Sequence, residues 1–328
     1  MELREFGPDD ASSIEAFVEL GNACSAVDAP WLHQDTPYRR RMEMIHGWDG
    51  EPGRHFLTYD GATPVGSVVV NYSNYDNLDL AWLELLVHPH HRRRGLGTAA
   101  LEATYEVCRS MGRSLLGLDG WESDQTRGFA KAAGFDQKSQ SINRRQHLAE
   151  VPADGLAQLM AAADQVAGDY ELLRFAGRTP DELMDDLARI TDAINDAPLD
   201  DLEIEDEVYS PDRIRAYETA QIESGYRFRR VVARHRGTGE LAGHTVVTVD
   251  TERPEIGDQH DTAVAREHRG HRLGVLVKSD MVRWLAEDEP QLATIDTWNA
   301  ESNDHMIGVN ELLGYRIMGR ALEFQRRI

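Results

Sequence analysis

The chain has 328 residues, with 57 Asp and Glu against 35 Lys and Arg and a formal charge of −22 at pH 7. Its length predicts two domains of about 150 residues each, and 41% hydrophobic with 28% charged residues excludes a disordered chain. A polyanion gains nothing by approaching nucleic acid unless basic residues are segregated on one face, so no nucleic-acid partner is expected; the charge either draws in cationic small molecules or serves only to keep the surface solvated.

No stretch is apolar over a membrane-spanning length, and MELREFGPDDASSIEAF lacks a basic, apolar leader pattern, so a cytoplasmic chain without a membrane partner is expected. Cys24 and Cys108 are the only cysteines, too few for a disulfide framework or a zinc site, and read as buried inert thiols. Lys131, Lys138 and Lys278 are the only lysines; arginine supplies nearly all the positive charge.

In chain order, Pro8 to Ala23 and Tyr38 to His46 read as helices. HFLTYD, PVGSVVVNYS and LAWLELLVHP read as strands, the last stopped by Pro89. Thr98 to Met111 reads as a helix ended by Gly112, SLLGLD as a short buried strand, and Thr126 to Ala133 as a helix stopped by Gly134. The order is ααβββαβα, with a late strand through SINRRQHL. Asp154 to Ala167 reads as a connecting helix.

The second half repeats the plan. DYELLRFAG is a first strand, Pro180 to Ile194 and Asp212 to Ser224 are helices, and YRFRRVVARHRGTGELAGHTVVTVD is a hairpin turning at Gly237-Thr238-Gly239. DQHDTAVA is a strand, Gly274 to Ala286 a helix, ATIDTW a strand, and Ser302 to Leu313 a helix stopped by Gly314.

HRRRGLGTAAL, from residue 91, has its counterpart HRGHRLGVLVK 177 positions later. At the same offset Glu84 meets Asp261, Val87 meets Val264, Asp119 meets Asp296 and Trp121 meets Trp298, while Gly134-Phe135 meets Gly314-Tyr315 at an offset of 180. Whole elements match, so the chain reads as a duplicated domain, residues 1–150 and 151–328, with 151–167 as the connection.

Each arginine-glycine turn stands between a strand and a helix. Glycine there permits positive φ and close approach of a bulky anion, and the unpaired N–H groups of the helix start point at it. Such a turn suits a pyrophosphate. It is not a P-loop, because no Gly-Lys-Ser/Thr follows, and it lacks the ribose acid of a dinucleotide fold.

VHPHHRRRGLGTAAL and VAREHRGHRLGVLVK, with the strand before each and the strand-helix-Gly-Phe/Tyr after, resemble the GNAT superfamily of acyl-CoA-dependent N-acyltransferases. The tandem arrangement resembles its two-domain, mycothiol synthase-like members. The resemblance implies an α/β fold of two GNAT-like domains, each a mostly antiparallel central sheet flanked by helices. It implies acetyl-CoA as co-substrate, no metal, and a small-molecule amine as partner.

By the same resemblance the CoA diphosphate falls to Arg92, Arg93, Arg94, Gly95, Leu96 and Gly97, and to Arg269, Gly270, His271, Arg272, Leu273 and Gly274. The N–H groups of Val87 and Val264 face the thioester carbonyl, and Asn299 holds the pantetheine arm. Glu84 and Asp261 stand where an acid takes the amine proton, with His260 adding to the second set. Attack of the freed amine then needs no covalent enzyme intermediate.

Two departures stand out. Arg272 replaces Gly95, which predicts a second turn less able to close. Ala130 and Asn310 stand where the family often has a tyrosine that protonates the leaving thiolate. His260-Asp261-Thr262 and Asn299 favour the C-terminal half as the catalytic one; the alternatives are the N-terminal half or a non-catalytic acyl-CoA sensor, and the oligomeric state is open.

Among the other residues, Asp119-x-Trp121 and Asp296-x-Trp298 read as packing groups at strand ends. His88, His90 and His91 read as solvated turn histidines, and DDLEIEDEVYS, residues 200–210, as a solvated loop. Tyr209, Tyr217 and Tyr226 read as a pocket wall or as packing.

Overall fold

The computed structural model describes residues 1–328. In chain order the elements are β1 (Glu2–Phe6), α1 (Ala11–Asp28), α2 (Pro37–His46), β2 (Arg54–Asp60), β3 (Thr63–Asn71), β4 (Leu80–Val87), α3 (Leu96–Ser110), β5 (Leu115–Trp121), α4 (Asp124–Ala132) and β6 (Asp136–His147). There follow α5 (Ala153–Asp164), β7 (Tyr170–Ala176), α6 (Met184–Thr191), α7 (Pro211–Glu223), β8 (Tyr226–His235), β9 (Leu241–Asp250), β10 (Ile256–Val264), α8 (Leu273–Asp288), β11 (Thr294–Ala300), α9 (Asp304–Leu312) and β12 (Arg316–Arg327).

Two compact units are present, and neither is a continuous stretch of sequence. The first comprises Met1–Ser141, Leu199–Asp206 and Gly319–Ile328; the second comprises Ile142–Pro198 and Glu207–Met318. Each is a mixed α/β unit whose sheet is mostly antiparallel.

In the first unit the strand order is β1-β2-β3-β4-β5-β12. Only β4 and β5 run parallel, from Leu80 opposite Leu115 to Leu83 opposite Leu118. β12 closes the unit antiparallel to β5, with Ala321 opposite Trp121 and Arg327 opposite Leu115. One face of this sheet packs Val68, Val70, Ala81, Leu83 and Leu118 against Ala100, Leu101 and Cys108 of α3 and Ala130 of α4. Cys24 and Cys108 are both buried and free, as read from the sequence; burial pushes both thiols up in pKa.

The second unit repeats the order as β7-β8-β9-β10-β11-β6. Its parallel pair is β10 with β11, from Ile256 opposite Thr294 to Asp258 opposite Asp296. Its core joins Val231, Val247 and Ile295 of the sheet with Leu276, Met281 and Leu285 of α8, Val309 of α9 and Ala163 of the connecting helix α5.

Three elements differ from the sequence reading. β1 carries ELREF with mostly exposed side chains, so no apolar alternation marks it. The helix expected from Pro180 to Ile194 is α6 flanked by tighter 3₁₀ turns at Asp181–Leu183 and Asp192–Asp196. β12 lies beyond the last element read in the second half, and RIMGRALEFQRR alternates too weakly to announce a strand.

Candidate functional site

The two arginine-glycine turns have one backbone shape. In the first, Arg93 and Gly95 take φ of 62° and 77°; in the second, Gly270 and Arg272 take 85° and 57°. Each turn thus has two left-handed residues, one glycine and one arginine, with the glycine at opposite ends. The sequence expectation that Arg272 makes the second turn less able to close is corrected: Arg272 caps α8 in the left-handed region, as Gly95 caps α3. An arginine held there costs on the order of 1 kcal/mol. Neither cap has a side-chain hydrogen bond, so the first N–H groups of both helices are left for an anion.

Each turn is tied down by its first arginine. Arg92 donates from Nε to Val87 O at 2.9 Å and pairs through both terminal nitrogens with Asp28 at the end of α1. Arg269 donates to Val264 O at 3.2 Å and pairs with Asp196, which Arg266 also holds. These side chains therefore anchor the turns, leaving the main chain to face a ligand. Arg94 pairs with Asp60 and lies beside His91, and His271 Nδ1 contacts His268 O. Leu96 and Gly97 open α3, as Leu273 and Gly274 open α8.

Beyond the short parallel pairing the strands part, and the amides there have a defined direction. His88 N–H donates to Val65 O and Ala265 N–H donates to Ala242 O. This makes Val87 opposite Gly66, and Val264 opposite Gly243, non-hydrogen-bonded pairs. The N–H groups of Val87 and Val264 consequently point away from the antiparallel neighbour, toward β5 and β11.

In the first unit the split opens into a cavity of about 790 Å³, lined by Leu85 to Val87, Arg92, Arg93 and Gly95 to Thr98 of the turn, Asp119 to Thr126, Phe129, Ala130 and Phe324. At Gly97 a Cβ would lie 3.2 Å from the Phe129 ring, so a larger residue there requires that ring to shift by a few tenths of an ångström. On the other face of the sheet Trp82 lies over Gly117, where a Cβ would fall 2.0 Å from the indole. That placement lets Trp82 Nε1 donate to Asp119 Oδ1 at 2.8 Å.

The Asp119 side chain is exposed to solvent near the end of β5 and forms part of the cavity wall. Burial and the neighbouring Glu84 push its pKa up to about 6, against the indole hydrogen bond. The reading of Asp119 as a packing group therefore gives way to an available acid, which the sequence does not single out because its repeat partner differs in surroundings. Asp296 is buried and gripped by Arg145 at 2.6 and 2.8 Å.

Glu84 accepts from Asn71 Nδ2 at 2.9 Å. Burial raises its pKa, Arg40 opposes this, and Glu43 and Asp35 add to it. Arg40 is itself shared between Asp35 and Glu43, each at 2.9 Å.

In the second unit β10 carries a bulge. Gln259 pairs with Val247 and Thr262 with Thr245, so His260 and Asp261 together oppose the single residue Val246. The Gln259 amide fills the interrupted ladder, donating to Val246 O at 2.7 Å and to His260 O at 3.1 Å. β4 has no such shift in register.

His260 contacts Tyr217 Oη through Nδ1 at 2.5 Å and Thr248 Oγ1 through Nε2 at 3.1 Å. Burial lowers its pKa to about 3 and raises that of the Tyr217 phenol well above its usual range. The phenol therefore donates to Nδ1 and the ring is neutral, with both nitrogens engaged. Asp261 is half-buried, and burial followed by Glu207 pushes it up to about 6, with Arg230 opposing. Such a carboxylate is ionised at neutral pH and basic enough to accept an ammonium proton.

Asn299, at the end of β11, accepts at Oδ1 from Asn310 Nδ2 at 2.7 Å, and the Asn310 Oδ1 is buried without a partner. Trp121 packs edge-on to Trp31 at 5.0 Å, but Trp298 is 47% exposed; the reading of both as packing groups holds for the first copy and is corrected for the second. His88 meets His90 and His91 at ring distances of 5.4 and 5.7 Å. Of the acidic run 200–210, Glu207 departs from a solvated loop, since its carboxylate takes bonds from Tyr209 and Arg213 beside Asp261.

No helix is long and apolar enough to cross a membrane. The acetyltransferase (GNAT) family model matches residues 18–135. The chain is similar to a tandem GNAT protein from the clavulanic acid biosynthesis pathway, at 26% identity over 99% of this chain and 98% of that one, with a TM-score of 0.82. A GCN5-related N-acetyltransferase from Sphaerobacter thermophilus shares the fold at 15% identity, 99% and 95% coverage and a TM-score of 0.67. So does the GCN5-related glucosamine N-acetyltransferase region of a fungal multi-domain GH3 beta-N-acetylglucosaminidase, at 16% identity, 99% and 38% coverage and a TM-score of 0.69. No curated protein matches the sequence.

Proposed function

We propose that this acyltransferase, a chain with the tandem fold of the GNAT superfamily, moves an acetyl group from acetyl-CoA to a primary amine of a small molecule in its C-terminal unit. The observation that carries the reading is the bulge of β10, which sets His260 and Asp261 together opposite Val246, with His260 against Tyr217 and Asp261 at a pKa of about 6.

The residues present suit acetyl-CoA. The turn from Arg269 to Gly274, like that from Arg92 to Gly97, offers main-chain N–H groups to a diphosphate. The Val264 N–H points into the split, where a thioester carbonyl oxygen gains from such a donor as charge grows on it. Asn299, fixed by Asn310, is left with its own amide N–H groups for the pantetheine arm. When bound, acetyl-CoA supplies the activated acyl carbon.

Asp261 takes the proton of the entering ammonium, freeing the nitrogen lone pair. Glu207 keeps the entrance negative, and Arg230 prevents the Asp261 pKa from rising further. Tyr217, His260 and Thr248 form a neutral chain that holds the bulge and orients Asp261; His260 thus positions rather than transfers. Uptake into the same negative site favours an amine that arrives as a cation.

The test is release of CoA thiol with acetyl-CoA and a panel of small primary amines. We expect turnover by the unaltered chain, loss of at least 100-fold in kcat/KM for Asp261→Asn, and a smaller loss for Glu84→Gln. Saturable acetyl-CoA binding without thiol release for any amine would replace the enzyme reading with a sensor.

A further inference from the structure

The same position of the repeat has opposite electrostatics in the two units. On β11, Asp296 is buried and locked by Arg145 through two bonds of 2.6 and 2.8 Å. On β5, Asp119 has the Trp82 indole as its hydrogen-bond partner, and its surroundings are acidic. Glu84 stands across the split on β4, and Glu323 of β12 is its direct cross-strand neighbour. Arg40, the cation nearest Glu84, is already shared by Asp35 and Glu43.

Asp119 lines the same 790 Å³ cavity as the Arg92–Gly97 turn and Val87. That cavity is of the size that holds small molecules and cofactor arms. An acid, an amide donor and an anion-binding turn therefore share one enclosure in the N-terminal unit, with the acid on a different strand from Asp261.

From this placement we infer that the N-terminal unit is a second acyl-transfer site, in which Asp119 on β5, rather than the β4 acid, receives the proton of a cationic amine. The inference rests on the acyltransfer reading above. The proton passes from the ammonium to the Asp119 carboxylate, and the freed nitrogen bonds to the thioester carbonyl carbon. The C–S bond then breaks with its electron pair on sulfur, and the remaining excess proton on nitrogen passes to the thiolate. Asp119 returns its proton to solvent. Amide, CoA thiol and one proton result from one ammonium and one thioester.

Trp82 acts through Asp119. Its indole N–H holds one carboxylate oxygen of an acid that lines the cavity. Glu84, whose hydrogen bond comes from Asn71, adds negative charge beside Asp119 and makes the split attractive to a second positive group on the acceptor. This points to a small diamine as the acceptor class.

The test uses the full chain with acetyl-CoA and 1,4-diaminobutane, comparing the unaltered protein with Asp261→Asn, Asp119→Asn and the double variant. Calorimetry of 1,4-diaminobutane in the presence of CoA supplies a second readout. Asp261→Asn is expected to retain diamine acetylation that falls as pH drops through about 6. The double variant is expected to lose at least a further 100-fold and to show weaker diamine binding.

If Asp261→Asn abolishes all transfer from an active parent, the second site is overturned and the C-terminal reading survives. If the parent transfers no acetyl group to any amine, the acyl-acceptor reading itself fails. If Asp119→Asn on the Asp261→Asn background changes neither rate nor binding, Asp119 has no role.

Discussion

Asp261 illustrates how a functional carboxylate is a burden on the fold that holds it. An aspartate in an unfolded chain titrates near about 3.9, whereas burial and Glu207 raise Asp261 to about 6. Between these values the folded chain binds more protons than the unfolded one, so stability falls as pH rises from about 4 to about 6. Above that window the full cost of an ionised, half-buried carboxylate is present. Asp261→Asn removes it. A carboxyl raised by about two pH units costs the fold about 2.8 kcal/mol once ionised; discounted for the partial access of solvent, the gain from the substitution is about 1 to 2 kcal/mol at pH 8. Thermal unfolding should show a rise in Tm of a few degrees at pH 8 and little change at pH 4.5. An equal rise at both values would mean that the amide acts by packing, and that Asp261 is not held at a raised pKa.

The element most legible in the sequence is the strand-turn-helix, because the arginine-glycine turn recurs 177 residues later with a strand before it and a helix after it. The turn at Gly95 has a φ of 77° with open space where a Cβ would stand. Gly95→Ala should therefore cost about 1 kcal/mol through backbone strain alone. Gly128, within α4 and equally free of neighbours, has an ordinary helical backbone; Gly128→Ala should gain about 0.5 to 1 kcal/mol. Denaturant melts of the two variants check the contrast, and opposite signs are the expected result. The bulge of β10 is not legible, since an inserted residue in DQHDTAVA leaves the composition of a strand unchanged and shows only against the register of β9. Asp119 escapes a sequence reading for a related reason: Trp82 lies 37 residues from it in sequence, and only folding brings the indole and the acid together. The repeat itself misleads, because equal spacing suggests equal roles for Asp119 and Asp296, whereas Arg145 neutralises Asp296 and the hydrogen-bond partner of Asp119 is an uncharged indole.

Across the whole chain, duplication explains why the two units share one strand order, but the closing strands do not follow their own halves. The first unit ends on β12, from the end of the sequence, and the second takes residues 142–147 of β6. β12 is no decoration. Leu322 and Phe324 lie at 0% and 3% exposure in the first unit's core, Phe324 also lines the cavity, and seven consecutive residues of β12 stand opposite β5. Removing β12 uncovers β5 and strips two large side chains from the core, at about 2 to 5 kcal/mol for each aliphatic or aromatic group lost, which rivals the stability of a typical domain. A chain stopped after Met318 should therefore lose the fold of its N-terminal unit while α8, β10 and β11 stay protected. Residues 1–150 expressed alone should fail to fold, and mixing them with residues 151–328 should restore protection in β5. Amide hydrogen exchange, read separately for β5 and β10, makes the comparison. Slow exchange in β5 of the isolated first half would show that the exchanged strand is dispensable and that the sequence halves, not the spatial units, are the folding units.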